Sequence, residues 1–209
     1  MRIFYDVDTQ NDFMNRGGAL YVPDAELIKP NLARLTYYAK RNPIPILGSV
    51  DRHFEYELTT SPEFLPKPDG AGFPAHCMDG TEGQKKIPET TVSGIVYIEA
   101  GRVGKKALVA KLRVPQLIFE KQHYDVFANV GGNANIERVI ELGVKKVILY
   151  GVATDYCVRA AALGMRERGI EVVVVEDAIK GVNPETTESA LEEMVKAGAK
   201  FVKTGEVIG

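Results

Sequence analysis

Residues 172–175 are four consecutive valines. Such a run is stable as a strand only where both faces of the sheet are covered. The segments around it alternate short apolar runs with amphipathic stretches. Strands are expected at 116–120, 146–150, 171–175 and 199–202. Helices are expected at 133–142, stopped by Gly143, at 155–168, stopped by Gly169, and at 184–197, opened by Pro184 and closed by Gly198. The first half adds strands at 2–8 and 44–50, and a helix at 24–41 with Asp24 as its N-cap. Strand–helix alternation at this spacing specifies an α/β fold, three-layer αβα, around a parallel sheet.

The chain has 209 residues, so a single domain over 1–209 is expected, and 45% hydrophobic residues suffice for its core. Two stretches break the pattern. Residues 51–91 are rich in Pro, Gly and acid, long for a connection, and read as a functional, lid-like segment. Residues 92–98 alternate loosely and 107–110 form a short apolar run, so a small hairpin or an edge element is expected at 92–110. A net charge of -2 without a basic block argues against nucleic acid or an acidic membrane as partner. No secretory signal or membrane-length apolar run is seen, and a cytoplasmic protein is expected. No Gly-x-Gly-x-x-Gly fingerprint is present, so no nucleotide cofactor is expected. Cys77 and Cys157 make no disulfide framework, though a bridge between them stays open.

In parallel α/β folds, ligands bind beyond the carboxyl ends of the strands. Four strand ends here deliver ionisable groups to that rim: Asp8, Asp51, Lys121 and Cys157. Cys157 follows a strand and a small-residue turn, arriving as a helix begins. Unpaired helix N–H groups there favour a thiolate, hence a nucleophile. A buried apolar filler is the alternative reading of the same cysteine. Asp8 could be a turn cap or the base that takes the thiol proton. Lys121 could be an ordinary surface lysine or the cation that holds Asp8 ionised. Asp51-x-His53 puts two metal donors on one loop. His76 supplies a third and Glu63 a possible fourth, in a chain with only three histidines. Ordinary loop histidines are the alternative. His123 has no arguable metal partner.

Three runs together resemble the isochorismatase-like cysteine hydrolases, and among these the nicotinamidases. They are Val7-Asp8-Thr9-Gln10-Asn11-Asp12-Phe13, Lys121 ahead of Tyr124 and Phe127, and Gly151-Val152-Ala153-Thr154-Asp155-Tyr156-Cys157-Val158. The resemblance implies a six-stranded parallel sheet of Rossmann-like form, commonly in a homo-oligomer. It implies Asp8, Lys121 and Cys157 as catalytic residues. It also implies a cis peptide between Val152 and Ala153, with the Ala153 and Cys157 amides facing one oxyanion. One divalent metal, with zinc the expected ion, would be held by Asp51, His53, His76 and, as in some members, Glu63. Phe13 and Phe73 match the positions that flank a pyridine ring. Phe73 stands where tryptophan is frequent, and Arg52-His53-Phe54 replaces the more usual Trp-His-Pro. The implied reaction converts nicotinamide to nicotinate and ammonia through a thioester. The competing readings are an amidase of the same fold acting on a ureido or carbamoyl compound, an isochorismatase-type hydrolase, and a non-catalytic binding subunit.

Overall fold

The computed structural model describes residues 1–66, 70, 72–99, 114–129 and 132–209. One sheet contains β1 (Arg2–Val7), β2 (Ile46–Asp51), β3 (Val96–Ile98), β4 (Gln116–Lys121), β5 (Lys146–Val152), β6 (Glu171–Lys180) and β7 (Lys200–Val202). Their spatial order is β3-β4-β2-β1-β5-β6-β7, and every pairing is parallel. The described helices are α1 (Asn11–Met14), α2 (Lys29–Arg41), α3 (Gly132–Glu141), α4 (Arg159–Glu167), α5 (Pro184–Lys196) and α6 (Thr204–Ile208).

The valine run behaves as its composition requires. Val172 and Val174 enter one core with Tyr5, Leu149, Val139 and Met165. Val173 and Val175 enter the opposite core with Phe4, Ile148, Leu32 and Leu35. Helices cover both faces, giving the three layers. Asn183 caps α5, its side chain accepting from the amides of Glu185 and Thr186.

Several elements differ from expectation. Among the described residues the sheet has seven strands rather than six. The addition is short β3, which pairs in parallel with β4 at the edge and is too brief to show a period. It supplies the edge element; the run at 107–110, the other half of the expected hairpin, lies outside the described residues. Asp24 does not cap a helix. It takes a left-handed φ of 60°, a 3-10 turn follows at Ala25–Ile28, and α2 begins only at Lys29, with Pro30 in its first turn. Strand β6 continues past the valines to Lys180, through a register shift against β5. Exposed Glu176 hides that continuation from an apolar pattern.

The chain winds outward from β1 to one edge, then returns to lay β5 against its other side. The C-terminal ends of β1 and β5 therefore border the point where the winding reverses, where open α/β sheets form their crevice. Asp8 follows the first of these strands and Cys157 the second.

Candidate active site

Asp8 stands one residue beyond β1 in a left-handed conformation, φ 47°, which aspartate tolerates better than most residues. Asp51 and Lys121 end β2 and β4 and are register partners. Cys157 lies in a single π-helical turn, Thr154–Val158, after a cis peptide between Val152 and Ala153. The Ala153 carbonyl accepts from the amides of Tyr156 (3.1 Å) and Val158 (3.0 Å), closing the turn. Asp155 anchors the turn from behind. Its carboxylate accepts from the amides of Val182 (3.0 Å) and Asn183 (3.1 Å) and from the Thr186 hydroxyl (2.6 Å).

Lys121 is the hub. Its ammonium lies 2.9 Å from Asp8 Oδ2 and 3.6 Å from Cys157 Sγ, and it donates to Asp51 Oδ1. All four side chains are buried. Burial disfavours the lysine's charge, but Asp51 and Asp8 more than compensate and hold it well above the usual range. Burial also works against the Asp51 charge, and Lys121 and His76 overcome it, keeping Asp51 well below the ordinary carboxylate range. Asp8 goes the other way: burial, aided by Asp51, raises it against the pull of Lys121. The Cys157 thiol is raised by burial against Lys121, with Asp8 adding to the rise. Burial thus favours the thiol over the thiolate, against the direction a helix-end dipole would give.

Beside this group lies a second one. Donor atoms of Asp51, His53 and His76 fall within 4.8 Å of one another, all buried. Asp51 Oδ2 is 3.6 Å from His76 Nε2 and 4.0 Å from His53 Nε2, and Glu63 Oε2 is 3.8 Å from His53 Nε2. His53 Nε2 is buried with no hydrogen-bond partner. Burial lowers His53 to about 4, so it is neutral near pH 7, the form that offers a lone pair. An orphaned imidazole nitrogen facing a second imidazole and two carboxylates fits a divalent cation of the zinc type. Glu63 also accepts from the Tyr124 amide, tying this cluster to the loop after β4. His123 stands outside the cluster.

A pocket opens onto both groups. Asp51, His76 and Cys157 line it, together with Phe13, Phe73, Tyr124 and Tyr156. The Phe13 ring is 5.4 Å from that of His76, and the Phe73 ring is 5.3 Å from that of Tyr156, edge-on. Both cysteines are free thiols, which closes the question of a bridge.

Several supporting residues escaped the sequence reading. The Gln10 side chain donates to the Asp51 carbonyl (2.7 Å) and accepts from its amide (2.6 Å). Asp12 accepts from the Cys77 amide (2.7 Å), next to His76. Glu57 accepts from the His53 ring. Gln10 and Asp12 belong to the quoted opening run, but their partners are 41 and 65 residues away. Only the His53–Glu57 spacing of four left a local signal.

An α/β fold with a cysteine, an acid and a lysine at its switch point, beside a two-histidine cluster, defines a class of cysteine hydrolase. The isochorismatase domain family matches residues 102–206. The nicotinamidase/pyrazinamidase of Mycobacterium tuberculosis is 29% identical, over 97% of this chain and 98% of that one. The Escherichia coli nicotinamidase is 28% identical, over 92% and 90%. The crystal structure of the Pyrococcus horikoshii pyrazinamidase in complex with zinc superposes with a TM-score of 0.73 at 30% identity, covering 97% of this chain and 98% of that one. The chain belongs to the isochorismatase family, and it is a hydrolase of amide C–N bonds.

Proposed function

We propose that this protein hydrolyses nicotinamide to nicotinate and ammonia through a thioester on Cys157. The observation that carries the reading is the reach of one ammonium, Lys121, to Asp8, Asp51 and Cys157 together, with the histidine cluster on the far side of Asp51. A ring nitrogen and a carboxamide are the two features such a pair of adjoining groups can hold at once. Phe13 and Phe73, which line the pocket, would flank the ring.

Asp8 takes the Cys157 proton, and the sulfur attacks the carboxamide carbon. The carbonyl π bond opens, and the amides of Ala153 and Cys157 stabilise the oxyanion as it forms. Lys121 offsets the charge moving between Asp8 and the sulfur. When the intermediate collapses, the C–N bond breaks and Asp8 returns its proton to the leaving nitrogen, releasing ammonia. Asp8 then deprotonates water, which attacks the thioester carbon. The C–S bond breaks, nicotinate leaves, and the thiol is restored. Asp51, His53, His76 and Glu63 would hold the divalent metal, which when bound supplies a Lewis acid to orient the ring and withdraw its electrons.

The test is ammonia release from a panel containing nicotinamide, pyrazinamide, and ureido and carbamoyl compounds. Nicotinamide and pyrazinamide are expected to turn over in preference to the rest. Cys157→Ala is expected to abolish release while retaining ligand binding. Turnover by that variant, or selective hydrolysis of the carbamoyl compounds, sinks the reading.

A further inference from the structure

We infer that Glu57 is a positioning residue that aims His53 at the metal centre and sets how tightly the centre holds its ion. The inference rests on the metal reading of the cluster, and deepens it.

The two histidines of the cluster are held differently from behind. His76 Nδ1 donates to the Pro74 carbonyl at 2.8 Å, a neutral acceptor fixed by the main chain. His53 Nδ1 lies 3.2 Å from Glu57 Oε2, a side-chain carboxylate. That carboxylate is buried, 6% exposed, and the same oxygen accepts from the Phe54 amide at 2.8 Å. The Phe54 bond fixes the oxygen, and the oxygen in turn fixes the ring. With Nδ1 donating to Glu57, the proton of the neutral imidazole is placed on that side. The lone pair is left on Nε2, the atom that is buried without a partner and faces Asp51 and Glu63. The Phe64 ring stands edge-on to His53 at 4.8 Å and restricts its rotation. A carboxylate behind a ligating imidazole both selects the tautomer and strengthens the nitrogen as a donor.

Glu57 reaches His53 because Glu55–Thr59 forms a 3-10 turn immediately after Phe54. The carboxylate is on the ring's outer side, so it acts through His53 rather than as a ligand itself. A purely structural role, capping the Phe54 amide, is the competing account. Glu57→Gln separates the two, since glutamine keeps an oxygen for that amide but loses the charge. Glu57→Ala removes the acceptor altogether.

The full chain is stripped with a chelator and titrated with zinc alone against a chromophoric competitor, and separately with cobalt(II) alone, followed by its visible absorption. The zinc dissociation constant is expected to rise roughly tenfold in Glu57→Gln and roughly a hundredfold in Glu57→Ala. The cobalt bands are expected to shift in both, while the melting temperature of the stripped protein stays at the native value in Glu57→Gln. Native zinc affinity and cobalt spectrum in a folded Glu57→Ala protein overturn the inference. If that variant does not fold, native affinity in Glu57→Gln does so. Failure of the unsubstituted chain to bind either ion overturns the metal reading beneath it.

Discussion

Asp51 and Lys121 are register partners on neighbouring parallel strands, and their salt bridge joins the two halves of the site. Asp51 turns Oδ1 to the lysine and Oδ2 to the histidines. One carboxylate therefore serves the histidine cluster and, through Lys121, the Asp8–Cys157 pair. Backbone pairing sets the two side chains side by side.

Lys121→Met removes the cation shared by Asp8 and Asp51, leaving two buried carboxyl groups to protonate or repel. In the metal-stripped protein, a loss of about 3–5 kcal/mol of stability is expected, as for other broken buried pairs. Turnover is expected to disappear. Urea unfolding and ammonia release check the two outcomes, and native stability would show that Lys121 contributes nothing to holding the acids.

Burial raises the Cys157 thiol. Alkylation by iodoacetamide in the stripped protein is expected to be slow at neutral pH and to be still climbing at the pH where an ordinary thiol has levelled off, since only the thiolate reacts. Mass spectrometry over a pH series measures the rate. A plateau already reached near about pH 6 would restore the helix-stabilised thiolate.

Glu63 is pushed up to about 7 by burial and by Asp51, above its ordinary 4.5. The folded chain thus binds this proton more tightly than the unfolded chain does. Its stabilising contribution is full below about 4.5 and is lost as pH rises through about 7. The melting temperature of the stripped protein is expected to fall, relative to Glu63→Gln, between about pH 5 and about pH 7. Zinc added near neutral pH is expected to reverse the order by favouring the ionised carboxylate. Parallel melting curves for the two proteins, with His53 common to both, would rule out the Glu63 contribution.

Away from the pocket, Lys86 Nζ is 2.7 Å from Asp6 Oδ2 and 2.7 Å from Thr9 Oγ1, and Thr9 in turn donates to Asp6 Oδ1 at 2.8 Å. Asp6 and Thr9, both held by Lys86, lie on either side of Asp8 along the chain. Lys86→Met alone is expected to destabilise by about 3–5 kcal/mol, because it strands the Asp6 charge. Combining it with Asp6→Leu is expected to recover most of the loss. Denaturant titration of the single and double variants decides, and additivity would mean that the two charges do not interact.

The layers, the parallel sheet and most element positions were legible in the sequence, because valine runs, helix caps and terminating glycines are local signals. Asp8, Asp51, Lys121 and Cys157 were legible as candidates for the same reason: each follows a strand. The 3-10 start before α2 was not, and β3 was legible only as a hairpin or edge element somewhere in 92–110. A left-handed Asp24 and a three-residue strand leave no periodic trace. Gln10, Asp12 and Lys86 were also missed, since each acts on groups tens of residues away.

By itself, the sequence determined which residue types stand at strand ends, and so which chemistry was available: a thiol, a base, a cation and a set of metal donors. Only the tertiary structure decided their state. Closing the sheet around them removed water, which favours the thiol form of Cys157, keeps His53 neutral and binds Lys121 between two acids. Those outcomes depend on distances across strands and on solvent exclusion, and neither quantity is written along the chain.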